Sequence, residues 1–162
     1  MLNVRNAGLD DVSAICNVLA SSWKAAYRGI VHDAYLDSLS SSHWTDFLID
    51  GIKNRTISVR VLEDEGSVIG SAVLCEEEKD VHLVSFYLLP DKTGSGLGSF
   101  FYNEVEKELR RKGFTKCVLD VLQDNCRAVR FYLSRGFCDT NKQISAKLGE
   151  TEYVCSVFEK ML

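Results

Sequence analysis

One stretch, Val81 to Ser99 with the sequence VHLVSFYLLPDKTGSGLGS, constrains this chain more than any other. An apolar run rich in β-branched and aromatic residues, Val81 to Leu89, meets the only proline, Pro90. Glycines follow at 94, 96 and 98, and then a helical pattern. The order is strand, tight loop, helix. Glycines let backbone N–H groups converge on a concave turn, and the helix N-terminus adds unpaired donors and partial positive charge, so the loop suits a phosphate or diphosphate. Spacing excludes two common phosphate loops: no lysine follows Gly98, as a P-loop requires, and Ser99 stands where the dinucleotide fingerprint needs its third glycine.

Composition narrows the classes further. With 162 residues and a net charge of −4, the chain has the size of one domain, 1–162, and no global attraction to nucleic acid or acidic lipid. The opening residues MLNVRNAGLDDV contain no long apolar core, and no run approaches the roughly 20 apolar residues of a membrane span. A cytoplasmic protein is expected. Six cysteines (16, 75, 117, 126, 138 and 155) are scattered without a C-x-x-C pair, and His32, His43 and His82 are dispersed. The cysteines read as small buried hydrophobes, and no metal site is expected.

Periodicity supplies the elements. Leu2 to Ala7 alternates as an edge strand. Asp10 or Asp11 can cap a helix whose face is Val12, Ile15, Cys16, Leu19, Trp23 and Tyr27, ending at Gly29. Helices are predicted over about 33–39 and from Ser42 to about Ile52, the latter with Trp44, Phe47 and Leu48 inward. From Thr56 the period becomes two: ISVRVLED, a Glu65-Gly66 turn and SVIGSAVLCEE form a hairpin that leads through Glu76 to Asp80 into the strand at Val81. A helix from Leu97 to Lys112 directs Phe100, Phe101, Val105 and Leu109 inward and is capped by Gly113. Cys117–Leu122 is a buried strand, Asn125–Ser134 a short helix, and 137–148 with 152–158 a terminal hairpin around Gly149.

Two ordered blocks carry a resemblance. The loop Thr93-Gly94-Ser95-Gly96-Leu97-Gly98 resembles the acyl-CoA loop of the GNAT superfamily of N-acetyltransferases, Arg/Gln-x-x-Gly-x-Gly/Ala, with both glycines present and Thr93 in place of the usual Arg or Gln. At the expected distance follows LDVLQDNCRAVRFYLSRGF, in which Asn125, Ala128, Phe131, Tyr132, Gly136 and Phe137 fall at family positions. The resemblance implies an α/β fold: a central mixed, twisted sheet of about seven strands with helices on both faces, and a splay between the two central parallel strands where the cofactor lies.

The resemblance also implies an acetyl-CoA-dependent N-acetyltransferase that forms a ternary complex with an amine acceptor, and homodimers are frequent in the family. Gly94, Ser95, Gly96, Leu97, Gly98 and Ser99 would hold the CoA diphosphate with Thr93. Phe86, Tyr87 and Leu88 would pair with the pantetheine arm as with another strand, and Asn125 would help bind that arm or cap its helix. Tyr132 would protonate the departing thiolate. An amine must lose a proton before it attacks, and His82 or Asp120 is the candidate base: an imidazole titrates nearer neutrality, whereas a carboxylate also attracts the cation. Tyr27 and Arg28, with Trp23, Tyr35 and Trp44, are candidates for the acceptor pocket. Cys117 and Cys126 invite an acyl-enzyme, but no histidine lies near either in sequence. A hydroxyl bonds a phosphate by about 1 kcal/mol, against roughly 1.5–3 for a charge-assisted bond. Thr93 therefore predicts weakened cofactor binding unless Lys92 supplies the charge. The alternative reading is a non-catalytic acyl-CoA-binding module of the same fold.

Overall fold

The alternating stretch after residue 57 becomes three consecutive antiparallel strands, β2 (Ser58–Asp64), β3 (Ser67–Glu77) and β4 (Asp80–Leu88), in the computed structural model, which describes residues 1–162. A first strand, β1 (Leu2–Asn6), pairs antiparallel with β2 at one edge of the sheet. On its other side β4 runs parallel to β5 (Lys116–Leu122). Beyond that lie β7 (Thr151–Met161) and, at the far edge, β6 (Cys138–Leu148), giving the order β1-β2-β3-β4-β5-β7-β6. The mixed seven-stranded sheet matches the expected fold.

Helices cover both faces. On one, α1 (Val12–Ala26), α2 (Asp33–Ser38) and α3 (Thr45–Lys53) pack down, with Ile15 and Leu19 meeting Leu48, Val61 and Val73. On the other, α4 (Leu97–Arg111) and α5 (Cys126–Ser134) cover the sheet, and Phe101, Val105 and Leu109 meet Leu74, Val81, Leu83 and Leu119. A further tie joins sheet to helix: the buried Arg60 of β2 donates two bonds, 2.8 and 2.7 Å, to the Glu108 carboxylate of α4.

Several local expectations need correction. Phe100 and Phe47 were expected inward but are 37% and 47% exposed. The stripe of α4 that reaches the core runs through Phe101, Tyr102, Val105 and Leu109, which leaves Phe100 on the opposite side; Phe47 lies at the edge of the α3 stripe set by Leu48 and Gly51. The third helix starts at Thr45 rather than Ser42, whose hydroxyl lies 2.8 Å from that of Ser40. Asp11 does not cap α1 through its side chain; its carboxylate accepts from the Gly8 N–H and from both nitrogens of the Arg5 fork, each at 2.8 Å.

Two irregularities position everything that follows. Strands β4 and β5 are in register only at Asp80–His82 against Lys116–Val118, and past Leu83 they part. Within β4 the register slips: Leu83 faces Leu74 and Ser85 faces Val73, so Val84 is an unpaired bulge residue, 46% exposed. The bulge reverses the parity of alternation. Val81, Leu83, Phe86 and Leu88 all pack on the α4 side, and His82 and Tyr87 fall on the α1 side.

Candidate functional site

After β4 the chain makes a short 3₁₀ turn at Pro90–Lys92 and reaches Gly94 and Gly96, whose φ angles are +78° and +83°. Both lie in the left-handed region, where a side chain would be strained, and α4 begins at Leu97 immediately afterwards. Glycine is therefore required by the backbone that aims the helix start at the cleft. A cleft of about 670 Å³ runs beside this loop, between the end of β4, the C-terminal part of α1 and the face of α5. Of the residues expected to bind cofactor, Phe86, Tyr87, Leu88, Thr93, Gly94, Gly96, Gly98, Ser99 and Asn125 line it. Ser95 and Leu97 do not: the Ser95 hydroxyl donates to the Lys92 carbonyl at 2.9 Å, and Leu97 packs against the core.

Strand register decides which backbone groups face the cleft. The Leu89 N–H bonds to Ile69 O of β3, so alternation turns the Leu88 and Phe86 amides the other way, toward the gap that β5 has vacated. The Tyr87 amide points to β3, and only its side chain lines the cleft. The Leu88 carbonyl is already met by the buried Ser22 hydroxyl of α1 at 2.6 Å. Its N–H is left aimed into the splay.

Aromatic hydroxyls gather on either side of this edge. Tyr132 lines the cleft, and burial, with Tyr27 and Cys117 nearby, raises its pKa well above the ordinary phenol value, so it keeps its proton through neutral pH. The Tyr27 and Tyr87 hydroxyls lie 2.7 Å apart, both titrating above the ordinary range because they are buried. Arg28 is exposed, and its guanidinium is held by Asp33 at 3.2 Å and Asp37 at 3.1 Å, outside the cleft wall. Trp23 stacks at an angle on Tyr27, with ring centroids 4.5 Å apart.

The two candidate bases turn out to be neighbours. His82 Nε2 lies 3.3 Å from Asp120 Oδ2, with both side chains partly exposed. Neither lines the cleft; both sit on the α1 side of the sheet, where β4 and β5 begin to part. The carboxylate lies against the imidazole edge and pairs by charge with its cationic form. Cys117 is buried, and burial followed by the Glu106 charge pushes its thiol up to about 12, which leaves no thiolate for an acyl-enzyme at neutral pH. No group of three or more His, Cys, Asp or Glu side chains is arranged to hold a metal ion, and no helix is long and apolar enough to cross a membrane.

Three features were missed in the sequence. Ser22 carries a faint signal, a hydroxyl at a buried position of the α1 stripe. Arg127 and Arg130 also line the cleft, one turn apart on α5. A second cavity of about 350 Å³, between the α1–α2 loop, the end of β5 and β7, brings Asp124 and Glu152 together beside Ile30 and Tyr153. Those carboxylates are far apart in the chain, and only the sheet joins them.

The comparisons agree with this geometry. The profile of the acetyltransferase (GNAT) family matches residues 17–137. A spermidine N(1)-acetyltransferase of Thermoplasma acidophilum is 26% identical over 141 residues, 84% of this chain and 88% of that protein. An uncharacterized N-acetyltransferase of Bacillus subtilis, YuaI, is 32% identical over 132 residues, 77% of this chain and 74% of its own length. Among solved structures, the PaiA N-acetyltransferase from Thermoplasma acidophilum in complex with coenzyme A superposes with a TM-score of 0.80 at 23% identity, covering 100% of this chain and 99% of that one.

Proposed function

This chain belongs to the GNAT family of acetyltransferases and is an N-acetyltransferase, and from that premise we propose that it passes an acetyl group directly from acetyl-CoA to an amine in a ternary complex. The observation that carries this reading is the splay: a free amide edge on β4, a glycine loop at its end and the half-buried phenol of Tyr132 all border one cleft. In this reading the diphosphate lies on the N–H groups of residues 94–99, and the pantetheine amides pair with Phe86 and Leu88 as an added strand would.

The amine approaches from the α1 side. His82, 3.3 Å from Asp120, takes its proton through a chain of waters leading away from the acetyl site, since a lysine-like amine is protonated at pH 7. As the C–N bond forms, the thioester oxygen becomes an oxyanion, and the Leu88 N–H donates to it; the Ser22 hydroxyl on the Leu88 carbonyl fixes that peptide. The C–S bond then breaks and Tyr132 gives its proton to the sulfur; the new amide nitrogen, cationic once the C–N bond has formed, releases its second proton to solvent, and the phenolate regains one from there. Asp124 and Glu152 in the second cavity favour a cationic acceptor, and the relationship to a spermidine acetyltransferase makes polyamines the first amines to test.

Isothermal titration with acetyl-CoA, with ATP and NAD as controls, followed by thiol release across an amine panel led by spermidine, tests the proposal. Saturable binding to acetyl-CoA alone and amine-dependent release of CoA are expected. Absence of binding at millimolar cofactor would overturn the reading; binding without release to any amine would leave an acyl-CoA-binding module instead.

A further inference from the structure

The loop that should neutralise the cofactor's phosphates carries no cation of its own. Thr93 stands where the family has Arg or Gln, and its hydroxyl donates to the Pro90 carbonyl at 2.8 Å. Lys92, the expected substitute, does not line the cleft. The only charged side chains among the nineteen cleft residues are Arg127 and Arg130, and no carboxylate lies among them, in a chain whose net charge is −4.

Arg5, Arg28, Arg60 and Arg110 are each held by carboxylates, whereas Arg127 and Arg130 are exposed and carry no ion pair. Arg55, Arg111 and Arg135 also carry no ion pair, but of the unpaired arginines only Arg127 and Arg130 line the cleft. Arg127 also lies in the first turn of α5, which contains no acidic residue, so its charge opposes the helix dipole. A cation in that position destabilises its own helix. It does, however, reach the loop: a methyl group built on Gly94 would lie 3.9 Å from an Arg127 guanidinium nitrogen.

We infer that in this chain the phosphate-binding charge has moved from the loop to α5, with Arg127 gripping the diphosphate over Gly94 and Arg130, one turn further along the cleft, gripping the 3′-phosphate of CoA. The inference rests on the acyl-CoA reading above. Guanidinium suits both tasks, because its planar fork meets two phosphate oxygens at once and stays charged at any working pH.

The test is titration of CoA and 3′-dephospho-CoA into the wild type, Arg127→Ala, Arg130→Ala and the double variant Thr93→Arg/Arg127→Ala. Both arginines are exposed, so no variant should melt below the wild type, and Arg127→Ala, which relieves the helix dipole, should melt slightly above it. Arg127→Ala should weaken both ligands about tenfold, and Thr93→Arg should restore most of that loss by returning the charge to the loop. Arg130→Ala should weaken CoA about tenfold and leave dephospho-CoA unchanged. Unchanged affinity in Arg127→Ala, a loss that Thr93→Arg does not repair, or a preference for CoA that survives Arg130→Ala would overturn the inference. A wild type that binds neither ligand sinks the acyl-CoA reading and this inference together, whereas wild-type binding that survives Arg127→Ala sinks this one alone.

Discussion

Tyr132 illustrates how one hydroxyl can be tested apart from the ring that carries it. The ring packs against Phe131 and Phe137, so Tyr132→Phe keeps the contacts and removes only the proton. In the proposed mechanism turnover falls roughly 10²-fold while the acetyl-CoA KM stays near its original value, measured by steady-state thiol release. Unaltered kcat would take Tyr132 out of the chemistry. His82→Gln should lower kcat roughly 10²-fold in the same assay, and an unchanged kcat would point to Asp120 or to water alone. The sequence offered His82 and Asp120 as rivals because neither parity nor strand neighbours can be read along a chain. The parallel register that sets His82 beside Val118 makes them a pair. Ser22 and Arg127 stayed hidden for a related reason: a serine on an apolar stripe and an arginine in a helix have many uses, and only packing selects one.

Among the elements, the loop that starts α4 was the most legible, since left-handed glycines before a helix leave a mark in the sequence that tertiary context cannot erase. Gly96→Ala forces a Cβ into φ near +83° and should cost about 1–2 kcal/mol, lowering Tm by roughly 2–4 °C per kcal/mol. A differential scan would measure it, and an unchanged Tm would mean that the loop rearranges freely. The tie between β2 and α4 gives a second prediction. The Arg60 guanidinium holds the Glu108 carboxyl below the ordinary value of 4.5. A carboxyl whose folded pKa is depressed stabilises the fold above its unfolded pKa and loses that contribution as pH falls through the folded one. Melting temperature should therefore drop below about pH 4.5, and Glu108→Gln, less stable at pH 7, should drop less over the same range. Equal slopes for the two proteins would exclude Glu108 as a source of the acid sensitivity. The helix boundaries near Ser42 and the outward Phe47 and Phe100 were less legible, because an aromatic residue at the edge of a stripe has no periodic signature of its own.

Across the whole molecule, the element order was readable from periodicity and the two motif blocks, while the second cavity with Asp124 and Glu152 was not, since it is made by β5 and β7 meeting side by side. The sheet is best seen as two half-sheets, β1 to β4 and β5 to β6, joined at three residue pairs near Asp80 and open at the other end like a sprung peg. A guest that bridges the open end would be bound by the folded chain and not by the unfolded one, and so would add RT ln(1 + [L]/Kd) to the free energy of unfolding. The protein's resistance to unfolding, and with it its persistence in a cell, would then rise and fall with the supply of its own acyl donor.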